Sequence, residues 1–500
     1  MKGEQLKNSG ILIFSNLTVN LSNFLKQVIM AYYLGVSGYI DILLLAQIIP
    51  AIFQAMIGGG AGEILVTKRE GSGYRTGSFE MVFIITCLVP VLLLCTGYYL
   101  LIDKFIPFFE INPESGGLLK DLSIIFLINA VPGTFNSILR PQLYSKGLYS
   151  FYAVATIISQ ATGILFILSF IDSMGVAAFA WGTLIANTIN SVWFSFRSGL
   201  AFSVIFDLSM WRHEMQQLIK LMKRVFSLSL QTFLNYFGTL WERSYSVKYL
   251  TGGYLSSLNY SKTLSELPTT VLLSSILTTS YIEQVKLFKE DVSHFKSYTA
   301  RTFSLIINLG FLFQVVMLLF APLIIIFIFR RGNFDNRAVE STLTIFNILT
   351  VSFLPRLIVG YLSRTMYILG EYRKLLFANI VKVLVQVGIM VLFITTFRNT
   401  IPFAILFSTL SIALILFYLV NRSVRLAGWF LFLVRIIVIT AVSLVLYKAH
   451  VLILPYYIER TNFEVLLIYM PGIILVSLAG LIYLSKTGKL SELLKKIKKK

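Results

Sequence analysis

The sequence predicts an all-α polytopic membrane protein of about fourteen transmembrane helices. Three observations carry that prediction. Of the 500 residues, 56% are hydrophobic and only 13% are charged, whereas about a quarter of a soluble domain is charged. Apolar runs recur from end to end, and about 20 helical residues suffice to cross the hydrocarbon core. Lysine and arginine are spread unevenly between alternate connections: with the N-terminus inside, the inside segments hold 27 of them and the outside segments 8. That bias puts both termini in the cytoplasm. It also explains the net charge of +20 as a topology signal, with no nucleic-acid partner. A reporter fused after Lys500 or within 212–224 is expected in the cytoplasm, and one within 103–120 outside. A tail reachable from outside intact cells would overturn this orientation.

The predicted spans are 10–34, 41–66, 80–102, 121–144, 150–171, 174–196, 225–250, 254–283, 302–328, 339–368, 373–397, 401–420, 430–448 and 463–484. The first follows Lys2 and Lys7, is rich in Asn and precedes no small-residue cleavage site, so it reads as a retained helix. Spans one to six make an N-terminal half, 1–200. The stretch "MWRHEMQQLIKLMKR" sets Trp211, Met215, Leu218 and Met222 at helical spacing opposite basic residues. It is an amphipathic linker, 201–224, expected to lie flat at the inner interface. Spans seven to twelve make a C-terminal half, 225–422. Two further helices occupy 423–484, and the lysine-rich tail, 485–500, suits a topology anchor or a contact with anionic lipid. Cys87 and Cys95 share the third span, about 12 Å apart along a helix, too far for a disulfide. His213, His294 and His450 are scattered, and no cluster has metal-ligand spacing. The sequence implies no metal and no cofactor.

The halves resemble each other. "YYLGVSGYIDILLLAQIIP" (Tyr32–Pro50) can be laid over "VKYLTGGYLSSLNYSKTLSELP" (Val247–Pro268) at an offset of about 216 residues. Six spans per half is an even number, so both halves enter the membrane the same way. A pseudo-two-fold axis along the membrane normal follows, with a binding site between the halves.

Polar residues concentrate in the first two spans of each half. Asn16, Asn20, Asn23 and Gln27 recur at spacings of four, three and four, one face of a helix, with Lys26 beside it. Gln47, Pro50, Gln54 and Gly58 form a second stripe, and Gln231, Asn235, Gly238, Glu242 and Ser246 a third. Asn259, Lys262 and Glu266 form the fourth, where Lys262 and Glu266 can pair at i,i+4. A charge at the bilayer centre costs roughly 2.5–3.5 kcal/mol on insertion scales. The stripes are therefore expected to face each other around a wet cavity, rather than only to bond helices together. Glu242 and Arg243 are adjacent, point about 100° apart and need separate partners; Lys26 and Lys262 are candidates for Glu242. Lys248 and Arg364 stand near span ends and can snorkel. Arg356, Lys382 and Arg435 lie deeper, where a site role and a local pair are both open.

At these residues the chain resembles the MurJ/MviN lipid II flippases of the multidrug/oligosaccharidyl-lipid/polysaccharide exporter superfamily. Four stretches carry the resemblance: "YYLGVSGYIDILLLAQIIPAIFQAM", with Gly35, Asp41 and Pro50; "ERSYSVKYLTGGYLSSLNYSKTLSELP"; "RRGNFD", with Arg331 and Asp335; and "LSRTMYILGEYRK", with Arg364. Asn20, Gln54 and Thr263 stand where such flippases usually place arginines, and Lys26-Gln27 replaces an Arg-Asp pair. The resemblance implies a monomer in a bacterial inner membrane. It would move a polyprenyl-diphosphate-linked saccharide, lipid II or a surface-polysaccharide precursor, from the cytoplasmic to the outer leaflet. Expected cavity residues are Asn20, Asn23, Lys26, Gln27, Gln54, Asn235, Glu242, Arg243, Asn259, Lys262 and Glu266. Expected structural or gating residues are Asp41, Pro50, Arg331, Asp335 and Arg364. Partners are the lipid-linked saccharide and membrane lipids; coupling is to the membrane potential or an ion, and no covalent chemistry is implied. Two rival readings are a drug/cation antiporter of the same fold, which needs a cavity biased to carboxylates, and a membrane glycosyltransferase or polymerase. The latter needs carboxylates or a substantial external loop, but the longest such loop, 103–120, offers only Asp103, Glu110 and Glu114.

Overall fold

The computed structural model describes residues 2–69, 76–109, 113–200, 208–269, 274–426 and 460–472, with isolated positions between the last two stretches. Six helices come first: α1 (Lys2–Leu34), α2 (Gly38–Arg69), α3 (Thr76–Phe105), α4 (Pro113–Ser145), α5 (Tyr149–Met174) and α6 (Ala177–Ser198). Then come α7 (Leu208–Tyr249), α8 (Tyr254–Pro268), α9 (Ser274–Glu290), α10 (Val292–Leu319) and α11 (Ala321–Phe329). The described order closes with α12 (Asn336–Val351), α13 (Phe353–Ile368), α14 (Tyr372–Phe393) and α15 (Thr400–Val424). Helices are what a chain this apolar must form, because hydrocarbon offers backbone N–H and C=O groups no partner outside the helix. Seven of them are long and apolar enough to cross a membrane by composition alone, and the bent pair α12–α13 makes an eighth. The helices that fall short of that test include α1, α7 and α8, which carry polar stripes.

Several predicted spans are broken. The eighth becomes α8 and α9, with residues 270–273 outside the described part. The ninth divides at Phe320 into α10 and α11. The tenth bends by 43° between α12 and α13, at Ser352, three residues before Pro355, whose nitrogen cannot donate to the helix ladder. Pro50, in contrast, sits inside α2 without ending it.

The amphipathic linker departs from expectation. It is the beginning of α7, a helix of 42 residues, because no Gly or Pro interrupts the chain between Leu208 and Phe237. Leu218, Leu221 and Val225 are buried in one cluster with Phe79, Val82, Phe83 and Cys87 of α3. Met222 Sδ lies 3.8 Å from Cys87 Sγ. The described part of the apolar stripe, from Leu218 onward, is thus covered by protein. Cys87 and Cys95 are both free and buried. Of the thirteenth predicted span only isolated positions are described, Val438, Val442 and Val445 among them, and these are helical and exposed; the basic tail lies outside the described residues, and of the fourteenth span residues 463–472 are helical.

The packing repeats. In the first half α1 packs on α5, α5 on α6, α6 on α4, α4 on α2 and α3, and α2 on α3. In the second, α7 packs on α14, α14 on α15, α15 on α12 and α13, α13 on α9 and α10, α12 on α8, and α9 on α10. Each contact of the first half has its counterpart in the same chain order, as two halves of like orientation require. The largest core cluster bridges the halves, joining Ile40, Leu43 and Leu44 of α2 to Leu255 and Leu258 of α8 and to Phe329 and Phe334.

Candidate functional site

The halves meet along α1 and α2 on one side and α7 and α8 on the other. One end of this seam is closed. Asp41, in the first turn of α2 and 4% exposed, accepts hydrogen bonds from the backbone N–H of Gly253 and of Ser256, both at 2.7 Å. A carboxylate of the N-terminal half therefore caps α8 of the C-terminal half, filling donors that a helix start leaves free and meeting its positive dipole end. Gly253 adopts φ 93°, and a Cβ there would lie 2.6 Å from Val36 Cγ1, so glycine is needed for this approach. Tyr260 donates to the Gly35 carbonyl at 2.9 Å. The 330–335 loop completes the closure: Asn333 donates through its backbone to Tyr32 O at 2.9 Å and through Nδ2 to Tyr33 O at 2.5 Å.

Below this closure lies a chain of polar and charged contacts. Glu242, 2% exposed, is ion-paired with Lys262 at 2.5 Å, and Gln386 of α14 donates to its other oxygen at 3.5 Å. Arg243 donates to the Leu44 carbonyl across the halves. Adjacent residues thus do take separate partners. Asn259 donates to Gln27 at 2.8 Å, a second bond across the halves. Lys26 donates to Gln160 of α5 at 2.8 Å, and Lys382 of α14 to Asn235 at 3.0 Å. Arg356 pairs with Glu266 at 3.3 Å and also donates to Ser265 Oγ at 3.1 Å.

Several expected partners differ. Lys262 reaches Glu242 on α7 rather than Glu266 one turn away, and Glu266 takes Arg356. Of the two candidates for Glu242, Lys262 is its partner, and Lys26 lies on α5's side. Gln54 and Gly58 turn toward α4 inside the N-terminal half: a Cβ on Gly133 would lie 2.6 Å from Gln54 Oε1, and one on Gly58 3.0 Å from Ser137 Cβ. Asn20 is half-buried and Asn23 exposed on α1; the side chains of Asn16 and Gln231 lie outside the described residues. Among the expected structural residues, Asp335 caps α12 through the Ala338 N–H at 2.8 Å. Arg331, in the loop after α11, is exposed and donates to Phe327 O of that helix at 3.1 Å. Arg364 lies half-buried on α13 within electrostatic reach of Tyr281. Lys248 lies over the Tyr249 ring, 5.1 Å from its centroid.

The stripe reading, confined to the first two spans of each half, leaves out Gln160 and Gln386. Lys26 and Glu242 are 216 residues apart (242 − 26), the repeat offset, and each is bonded by a glutamine from the counterpart helices α5 and α14. Water access is testable here. Cysteines at Asn20, Asn235 or Asn259 are expected to react with a water-soluble maleimide in membranes. A cysteine at Leu384, 65% exposed on an apolar face, is expected to stay unlabelled. Equal labelling at all four would leave only a helix-bonding role for the polar seam.

In fold the chain is similar to solved transporters of the MOP superfamily. An inward-facing multidrug-resistance MATE transporter of that superfamily aligns with TM-score 0.63 and 15% identity over 83% of this chain and 94% of its own. A MOP-superfamily transporter from Pyrococcus furiosus aligns with TM-score 0.60 and 16% identity over 85% and 98%. The chain belongs to the MurJ lipid II flippase family, whose match covers residues 30–470. The structure of the lipid II flippase MurJ in an inward closed conformation aligns with TM-score 0.73 and 18% identity, over 96% of this chain and 99% of that one. No curated protein matches by sequence.

Proposed function

We propose that this protein is a flippase that carries a polyprenyl-diphosphate-linked saccharide, lipid II or a close relative, from the cytoplasmic to the outer leaflet of a bacterial inner membrane. The family match over residues 30–470 carries the reading. The geometry supports it. A saccharide needs a hydrated path and a diphosphate needs cations, and the seam offers Lys26, Arg243, Lys262, Lys382 and Arg356 against Glu242 and Glu266. That excess of positive charge disfavours a cationic drug, so the MATE likeness stands as one of fold.

With both termini cytoplasmic, the Gly35 and Gly253 turns face outward, and this state is closed outside. In it Glu242 and Glu266 hold Lys262 and Arg356 while no substrate is present, and the Leu44 carbonyl holds Arg243. Rocking one half against the other separates α2 from α7 and frees the Arg243 guanidinium for the diphosphate. The inside-negative potential favours export of the anionic head group by about 2.3 kcal/mol per charge per 100 mV. A monomer suffices, since both faces of the seam come from one chain. In cells depleted of the protein, lipid-linked precursor is expected to accumulate out of reach of a hydrolase added outside. Unchanged outer-leaflet precursor would contradict the reading.

A further inference from the structure

The cations of the seam are held in two ways. Lys262 and Arg356 are each paired with a carboxylate, and Arg243 with a backbone carbonyl. Among the described residues, Lys26 and Lys382 are held by neutral amides, Gln160 at 2.8 Å and Asn235 at 3.0 Å. Among the described residues, the ion pairs of the seam leave both lysines out. Lys382 is the eleventh of the 22 residues of α14, which puts it near mid-membrane. Phe377, Ile380, Leu384 and Val391 are 61%, 39%, 65% and 53% exposed. At about 100° per residue they lie roughly 140–180° round the helix from Lys382. The apolar face of α14 meets lipid, and Lys382 points inward to α7.

An ammonium at that depth is costly, and an amide oxygen leaves its charge uncompensated and two of its three donors unspent. Lys262, Glu242 and Glu266 are within electrostatic reach, but both carboxylates already have cations. The seam fixes the lysine in place. Gly238 lets α14 approach until a Cβ there would lie 3.2 Å from Gln386 Oε1, one turn along from Lys382. Asn235 precedes Glu242 by seven residues, about 10 Å along α7, away from the closed end. We infer that Lys382 is the first anion-binding residue that the substrate meets in the C-terminal half. It takes a phosphate of the lipid-linked diphosphate as this enters from the open side, before the Lys262–Glu242 pair is reached, with Lys26 serving the N-terminal half. The inference rests on the flippase reading above.

The test is titration of the whole protein in nanodiscs with undecaprenyl diphosphate, with undecaprenol and inorganic diphosphate in parallel. The Lys382→Gln variant is expected to weaken undecaprenyl diphosphate binding by about tenfold or more, the worth of a charged hydrogen bond. Lys382→Arg should keep most of it, Lys248→Gln should change nothing, and undecaprenol should bind without regard to Lys382. Removing an uncompensated charge at that depth is also expected to raise the melting temperature, whereas a purely structural lysine would lower it. Unchanged binding by Lys382→Gln, or a lower melting temperature with unchanged binding per folded molecule, overturns the assignment and leaves the flippase reading standing. Equally tight, Lys382-dependent binding of inorganic diphosphate overturns the lipid-linked occupant. Failure of the unmodified protein to bind undecaprenyl diphosphate overturns the flippase reading itself.

Discussion

Replacing Glu242 with leucine will destabilise the protein by about 3–5 kcal/mol, the usual cost of leaving one member of a buried ion pair alone. Glu242 is 2% exposed and its carboxylate is the salt-bridge partner of Lys262. With it gone, an ammonium remains in the interior with no counter-charge. The double variant Glu242→Gln with Lys262→Gln removes both charges and keeps the Gln386 contact possible. It is expected to recover most of the melting temperature while transport stays lost, because the cavity has lost a cation. Thermal unfolding of the purified single and double variants decides the matter. If the double variant is as unstable as Glu242→Leu, the pair is not what holds α7 to α8.

The second large effect falls on Arg243. Arg243→Ala is expected to abolish transport of the lipid-linked saccharide at nearly normal protein level, and Arg243→Lys to recover only part of it. A lysine keeps the charge but not the planar fork that can hold a phosphate through two bonds. The guanidinium lies at a crossing between the halves, on the Leu44 carbonyl, so its loss also removes a bond between α2 and α7. Lys248→Ala, five residues on, is the control and should be nearly silent, since Lys248 lies over Tyr249 near the end of α7. The readout is precursor retained in the inner leaflet, scored against expression. Normal transport by Arg243→Ala, or greater damage from Lys248→Ala, would move the site to another face.

What could be read in the sequence was what physics makes local. The insertion cost of Asn, Glu, Arg and Lys singles out α1, α7 and α8 before any packing is known, because no lipid-facing surface tolerates them. The repeat was legible because Gly35 and Gly253 both need a left-handed or crowded backbone that other residues resist. Pairings were not legible. Lys262 and Glu266 sit at ideal helical spacing, yet Lys262 crosses to Glu242, 20 residues earlier in the chain, because the neighbouring helix brings a buried carboxylate closer than an exposed one. Gln54 repeats with Gln47 on one face, yet the tight α2–α4 approach at Gly58 and Gly133 draws it inside its own half. The linker's amphipathic stripe looked like a membrane-surface helix. A sequence cannot tell whether lipid or the Phe79–Cys87 side of α3 will cover such a stripe.

Transport requires the seam between the halves to open, and a reversible lock at its closed end tests this. A Cβ on Gly252 would lie 3.8 Å from Gly38 Cα, within the reach of a disulfide between the halves. The variant carrying Gly38→Cys together with Gly252→Cys is to be reconstituted in proteoliposomes with a fluorescent polyprenyl-diphosphate saccharide. Transfer between leaflets is read by a membrane-impermeant quencher. Transfer is expected when the variant is reduced, none when it is oxidised, and recovery on adding reductant. Undiminished transfer by the oxidised, fully cross-linked protein would contradict that requirement.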